Sequence, residues 1–342
     1  MLPLLATARI ILRNYVDLPR MVYVLCFGSF INRAGSFVML FLTIYVTEQL
    51  GAGKAFASYF IGAFGFGSVF SSLIGGQLAD QFGRRATMLL ALFGGATALL
   101  ILDQLATVAQ SPAGFTQLAA AEGLASLESI NTAASEPGSV VMANSDAPSS
   151  LLATLRHVAG DWTFLLFCFC NLLTSIVFMQ GFATLPLYVT EMGFTKLEFG
   201  TMICVNGGMI VLLQLPLTHV LNHCNRALVL LAGELFLAVG FGLTVYADSA
   251  IFFVGTIVLW TMGEIFQAPY KPTIVSELAP PAMRARYMGV FNLSHSLSLM
   301  IGAPLGGEIL ARFGPQVLWP GCFCLLIITM ALYVVLFSRL TS

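Results

Sequence analysis

Phe164-Leu-Leu-Phe-Cys-Phe-Cys-Asn-Leu-Leu-Thr-Ser-Ile-Val-Phe-Met-Gln-Gly-Phe-Ala-Thr-Leu-Pro-Leu-Tyr-Val189 runs for 26 residues without a charge. About 20 apolar residues in a helix span the roughly 30 Å hydrocarbon layer of a bilayer. The run lacks the period-two alternation of a barrel strand, and a segment in lipid has to satisfy its backbone hydrogen bonds internally, so it reads as a membrane-spanning helix. Eight similar runs accompany it: Met21–Val46, Phe56–Leu78, Ala86–Leu105, Phe199–Leu221, Ala227–Tyr246, Ile251–Val275, Tyr287–Ala311 and Val317–Phe337. Over all 342 residues, 58% are hydrophobic and 9% charged, with a mean hydropathy of +0.90. Soluble domains carry about a quarter charged residues, so this composition belongs to an all-α, polytopic transmembrane helical bundle embedded in a lipid bilayer. A net charge of −1 offers nothing to a nucleic-acid partner.

The chain chemistry points away from an enzyme. The seven cysteines, Cys26, Cys168, Cys170, Cys204, Cys224, Cys322 and Cys324, lie in or beside apolar runs. Residues i and i+2 of a helix face different ways, so neither C-x-C pair makes a metal clamp, and the thiols read as inert packing groups. The four histidines are scattered, and no nucleophile, metal or phosphate-loop pattern appears, so neither a cofactor nor a metal is expected. Arg9, Arg13 and Arg20 precede a long apolar run with no small-residue cleavage site, which favours a retained first helix over a signal peptide.

The positive-inside rule orients the spans. With the N-terminus cytoplasmic, Arg84 and Arg85 fall in a short inside turn, and Arg226, Lys271, Arg284, Arg286 and Arg339 fall inside if the late group also starts there. Lys54, Lys196 and Arg312 are left outside. Three early spans joined to six late ones have the wrong parity, so one more crossing is needed. Ala113–Val141 is the segment available, although three glutamates in it would cost about 2–3 kcal/mol each near the bilayer centre; a surface-lying segment is the other reading. The expected organisation is an N-terminal bundle over 1–107, a linker with a degenerate fourth helix over 108–160, and a six-helix bundle over 161–342.

An internal repeat divides the chain. Leu42-Thr-Ile-Tyr-Val-Thr-Glu48 returns as Leu185-Pro-Leu-Tyr-Val-Thr-Glu191, and Lys54 and Lys196 follow at nearly the same distance. Tyr45 thus corresponds to Tyr188, an offset of 143 residues (188 less 45). The six late helices occupy roughly 182 residues, so an early half of the same design is short by roughly 40 residues, or about two helices.

Gly76-Gln-Leu-Ala-Asp80-Gln-Phe-Gly83-Arg84-Arg85, in the turn between the second and third spans, resembles the G-x-x-x-D-[RK]-x-G-R-[RK] signature of the major facilitator superfamily, with Gln81 in place of the usual basic residue. Gly76 lets helices approach, Gly83 permits the tight turn, and the Asp80 and Arg84 charges latch neighbouring helices; this is the family's conformational-switch motif. Pro269 through Pro280 with Arg284 to Gly289 is similar to the stretch joining helices ten and eleven in drug-efflux-like members. Gly302-Ala-Pro-Leu-Gly306-Gly307 resembles the family's glycine-proline pattern, and Leu155 to Asp161 the end of its central loop. Counterparts of the family's fifth and sixth helices are missing. The resemblance implies about nine or ten helices in two pseudo-repeated halves, with a cavity at mid-depth, and a monomer in the cell inner membrane with both termini cytoplasmic.

Site candidates follow from depth and from the resemblance. Arg33 lies about 18 Å along a helix from Met21, near mid-bilayer, where a charge is functional by default; with Asn32 it is a candidate substrate or coupling cation. Glu264, Gln267 and Lys271 are spaced i, i+3, i+7 and share a face, near a kink expected at Pro269 and Pro272. Glu264 is the leading proton-carrying candidate, and Lys271 either joins it or snorkels to the inner surface. Asn171, Gln180 and Trp260 add hydrogen-bonding or stacking groups. Glu234 falls on a helix that is peripheral in the family, and His295 and Glu308 read as interhelical hydrogen-bonding residues, with membership of a relay as the other reading. The expected activity is proton-coupled export of small amphiphilic compounds by alternating access. Uptake by the same fold, or a degenerate chain that no longer transports, remains as the alternative.

Overall fold

A computed structural model describes residues 39–48, 51, 53–82, 86, 89–90, 93–94, 97, 158 and 160–341. Two compact units divide the chain: Met1–Leu73 with Thr154–Ser342, and Ile74–Ala153. Every regular element among the described residues is a helix. They are α1 (Met39–Glu48), α2 (Lys54–Phe82), α3 (Trp162–Phe178), α4 (Gln180–Ala183), α5 (Leu185–Glu191), α6 (Lys196–Leu221), α7 (Arg226–Leu243), α8 (Ala250–Gln267), α9 (Tyr270–Leu278), α10 (Arg284–Phe313) and α11 (Pro315–Thr341). In the second unit, α2 ends, and Ala86, Leu89, Leu90, Phe93, Gly94 and Thr97 are helical. The remainder of the third expected span, Gly83, Arg84 and Arg85 of the switch motif, and the Ala113–Val141 segment lie outside the described residues.

Among the described residues six stretches are long and apolar enough to cross a membrane: Lys54–Ser72, Trp162–Glu191, Lys196–Leu221, Arg226–Tyr246, Ala250–Leu278 and Pro315–Arg339. Five of the six expected late spans fall at these places, and the sixth, Tyr287–Ala311, lies within α10. Trp162–Glu191 is broken twice, with Met179 and Thr184 between its helical pieces. Pro186, at the second position of α5, has no N–H to return to the preceding turn. Pro269 likewise stands at the junction of α8 and α9, at the kink the sequence leads one to expect. The 30 residues of α10 reach as far as the other spans, but its middle is polar. Ser294, Ser296 and Ser298 are buried there, turned toward neighbouring helices rather than lipid. Apolar side chains such as Leu212 and Ile251 stand outward, 71% and 82% exposed, as a lipid-facing surface requires.

The late helices pack around two apolar layers with a polar layer between. One is built on Tyr188, Phe241, Trp260 and Trp319 and includes Leu40 and Ile44 of α1. Phe241 stacks on Trp260 and on Trp319, with centroids 5.7 and 6.4 Å away. The other joins Phe164, Phe167, Tyr287 and Tyr333. On each of α3, α7, the α8–α9 pair, α10 and α11, the residues between the two clusters include buried polar groups: Asn171 and Thr174, Glu234, Gln267 and Lys271, Ser294 and Ser298, and Thr329. One apolar turn on either side thus encloses a slab of hydrogen-bonding groups at mid-height.

Glycine decides where backbones touch. A Cβ on Gly65 of α2 would lie 2.3 Å from the Met300 backbone nitrogen on α10, and one on Gly62 would lie 2.6 Å from Pro304. A Cβ on Gly263 of α8 would lie 2.6 Å from the Gly233 carbonyl oxygen on α7. These seams bring α2 against α10 and α7 against α8 at backbone contact, the geometry that small residues permit in membranes. Gly65→Ala is therefore expected to destabilise the protein by about 1–3 kcal/mol, the usual cost of overpacking. Gly67, whose Cβ would meet nothing within 4 Å, is the control, and Gly67→Ala should change stability by less than about 0.5 kcal/mol. Thermal melting of the two purified variants in one detergent checks this; equal melting temperatures would remove the α2–α10 seam.

Candidate functional site

A cavity of about 460 Å³ opens in the first unit at the level of the polar layer. Helix α2 contributes Ser68, Ser71 and Ser72, and α3 contributes Asn171, Thr174, Ser175 and Phe178. Glu264, Gln267 and Lys271 form the wall from α8 and α9, and Asn292, His295 and Ser296 that from α10. Residues preceding and following the repeat boundary therefore share one cavity. Most of the residues lining it carry a hydroxyl, amide or ionisable group, while Phe178, Leu237, Ala268, Pro272, Phe291 and the carbon stems of the polar side chains supply apolar surface.

Local hydrogen bonds set these side chains. The Asn206 amide on α6 donates to Glu264 Oε2 and to Thr261 Oγ1, each at 3.0 Å. Asn171 donates to Ser294 Oγ at 2.8 Å, tying α3 to α10. Ser68 and Ser296 hydroxyls meet at 2.9 Å, tying α2 to α10. Lys271 is 9% exposed, so its ammonium is enclosed within the bundle rather than extended to water.

A second cavity of about 170 Å³ is almost wholly apolar, lined by Met39 and Leu40 of α1, Ile61 and Phe64 of α2, and Met179 and Phe182, among others. Asn206 also lines it. The same amide that borders the apolar cavity thus holds the carboxylate on the wall of the polar one.

Of the residues singled out from sequence, Asn171, Glu264, Gln267 and Lys271 meet at the polar cavity. Gln180 and Trp260 do not line it. The Gln180 amide donates to the carbonyls of Ile176 and Gly302, both at 2.8 Å, and Trp260 is 3% exposed in the aromatic stack with Phe241. Asn32 and Arg33 lie outside the described residues; Gly76 and Asp80 fall on the last turns of α2. Glu308 accepts from Tyr59 at 3.0 Å and pairs with Arg312, an interhelical contact. Sequence reasoning passed over Ser68, Ser71, Ser72 and Asn292. Small polar residues are common in membrane helices as packing groups, so only their neighbours distinguish these.

Two ion pairs stand at one end of the unit. Lys54, at the start of α2, pairs with Glu191 at the end of α5, and Lys196, at the start of α6, pairs with Glu48 at the end of α1. The glutamates are equivalent in the repeat and so are the lysines, so each lysine pairs with the glutamate of the opposite copy. All four side chains are 30–47% exposed, where a single pair contributes about 0–1 kcal/mol.

A family profile described as the Major Facilitator Superfamily matches residues 25–136 and 167–342. The multidrug resistance protein MdtH of Aeromonas hydrophila is 26% identical over 170 residues, 47% of this chain and 41% of that protein. A Na(+), Li(+), K(+)/H(+) antiporter of Planococcus maritimus is 27% identical over 175 residues, 46% of this chain and 40% of the relative. The uncharacterized MFS-type transporter YqjV of Bacillus subtilis is 20% identical over 369 residues, 89% of each protein. The chain spans about two fifths of the length of the multidrug and antiporter relatives.

In a cysteine-free background, Ser68→Cys with Ser296→Cys is expected to form a cross-link between α2 and α10 under mild oxidation, seen as a mobility shift reversed by reductant. Failure to cross-link in membranes would separate α2 from the cavity wall.

Proposed function

The chain belongs to the Major Facilitator Superfamily, and from that premise we propose that it is a secondary active transporter that exports small amphiphilic compounds in a proton-coupled cycle of alternating access. One observation carries the reading. A cavity bearing Glu264 and Lys271 lies beside an apolar one, whose lining residue Asn206 donates to the Glu264 carboxylate on the wall of the first, and both cavities draw residues from each side of the repeat boundary. A solute with a polar end and an apolar body matches that division. Glu264 is the proton-carrying group in this reading, because its carboxylate stands on the cavity wall where a solute and a proton compete for it. Arg33 with Asn32 is a further substrate or coupling candidate in this reading, and Asn171, Gln267 and Lys271 supply polar contacts at the cavity.

In this reading the termini are cytoplasmic, the chain is a monomer in the inner membrane, and the crossed pairs Lys54–Glu191 and Lys196–Glu48 belong to the outer end of the bundle, where they hold one state of the cycle closed. Gly76, Asp80, Gly83, Arg84 and Arg85 act as the conformational switch in this reading. The N-terminal bundle over 1–107 and the six-helix bundle over 161–342 are the rocking parts. The names of the multidrug and antiporter relatives support export and proton coupling.

Glu264→Gln and Arg33→Ala are each expected to abolish flux of ethidium driven by a pH gradient in everted vesicles, while leaving the amount of protein in the membrane unchanged. Normal flux in both variants would remove the assignment. At the outer end, Lys54→Glu should slow transport several-fold by placing like charges together, and Glu191→Lys in the same chain should restore it. A double variant as slow as the single one would show that the pair does not form the closure.

A further inference from the structure

Two of the four histidines of the chain stand together where α6 ends. His219 lies in the last turn, and His223 follows four residues later, just beyond the helix. Their ring centroids are 6.3 Å apart and the ring planes cross at 87°. Both residues are exposed, as are Asn222 and Cys224 beside them. The pair lines neither cavity, and the transport reading above gives it no task.

The backbone explains the pairing. Asn222, which closes α6, keeps helical angles (φ −60°, ψ −20°) and donates its N–H to the Thr218 carbonyl at 3.0 Å. Helical geometry thus continues past Leu221, and residues four apart on a helix share a face. The chain then turns: the Cys224 N–H donates to the Leu221 carbonyl at 2.9 Å, and Asn225 caps α7 by accepting from the Ala227 N–H at 2.9 Å. From Lys196 at the crossed pairs to this turn, α6 runs 26 residues, or about 39 Å, so the histidines stand at the opposite end of the bundle. The turn is fastened to α9, where the Tyr270 hydroxyl reaches Asn222 Oδ1 at 3.5 Å and Glu277 pairs with Arg226.

We propose that His219 and His223 bind a divalent transition-metal ion as a two-imidazole chelate spanning the end of α6. Two histidines at i and i+4 on one helix face are a metal-binding spacing, and imidazole suits zinc, copper and nickel rather than magnesium or calcium. Two imidazoles on one tetrahedral ion, at a Zn–N distance of about 2.0–2.1 Å, hold their ring centres about 5 Å apart. The observed 6.3 Å needs a closure of roughly 1 Å, which exposed side chains reach by small torsional changes. Among the described residues no group of three His, Cys, Asp or Glu side chains is arranged around an ion, so water completes the shell. The bound ion staples His223 to the last turn of α6 and thereby stiffens the α6–α7 turn where it meets α9. This site stands apart from the transport reading and does not depend on it.

The test is zinc binding to the full chain, purified in detergent without an affinity tag. Affinity is read by competition with a chromogenic zinc chelator, and stability by thermal melting. Wild type should bind a single zinc ion and melt higher in its presence, because a ligand of the folded state stabilises it. Magnesium should give no shift. His219→Ala and His223→Ala should each weaken zinc binding by about tenfold or more, at least the loss that removing an outer-shell partner causes. The double variant should lose the melting shift, while Cys224→Ser should bind zinc as wild type does. Equal melting of the variants without zinc checks that they fold. If an alanine variant does not fold, His223→Asn, which keeps a polar turn residue, should show the same loss. Zinc affinity that persists in the double variant or in His223→Asn overturns the proposal, and so does affinity lost equally in Cys224→Ser.

Discussion

Helices in hydrocarbon gain nothing by hiding apolar side chains from lipid, so close backbone contact and shared polar groups have to hold this bundle together. The structure depends on that constraint throughout. Gly65 lets α2 lie on the backbone of α10 at Met300, and Gly233 and Gly263 do the same for α7 and α8. Each seam also accompanies a polar contact in the middle of the bundle: Ser68 with Ser296 on one side, Glu234 with Thr174 on the other. Packing and chemistry are consequently set by the same few small residues.

The polar slab between the two apolar layers shows what such contacts have to accomplish. An unsatisfied polar group in the interior costs about 1–3 kcal/mol, and most of these side chains find a partner on another helix or on the preceding turn. Asn171 uses Ser294, Asn206 uses Glu264 and Thr261, and Thr174 uses both Glu234 and the Cys170 carbonyl. Among the described residues five buried side-chain atoms stand without a partner: Thr43 Oγ1, Trp319 Nε1, Glu234 Oε2, Gln267 Nε2 and Tyr333 OH.

Much of this was legible in the amino-acid sequence, for reasons that differ by element. Apolar runs set the late helices because length and charge deficit are local properties. Glu264, Gln267 and Lys271 were legible as a shared face, and they meet at one cavity even though Pro269 divides their helix. Gln180 and Trp260 look equally site-like in a hydrophobic run, yet one is used by the Gly302 carbonyl and the other by an aromatic stack. Their partners lie on distant helices, which spacing along one helix does not reveal. Ser68, Ser71 and Ser72 carry no signal until α10 is laid beside them. Glu234 read as a residue of a peripheral helix; it is fully buried and bonded to Thr174, but it does not line the cavity.

The repeat shows the same division between what spacing reveals and what it conceals. Tyr45-Val-Thr-Glu48 and Tyr188-Val-Thr-Glu191 identify equivalent positions, and Lys54 and Lys196 extend the correspondence. Equivalence says nothing about partnership, and either lysine had a glutamate of its own copy six or five residues before it. The pairs form across the copies instead. A two-fold relation between repeats requires that once one lysine reaches across, its equivalent does so too; a single crossed contact therefore becomes two. Each exposed pair contributes only about 0–1 kcal/mol, so the crossed contacts select which ends of the two copies meet rather than supplying the stability of the bundle, which rests on the glycine seams.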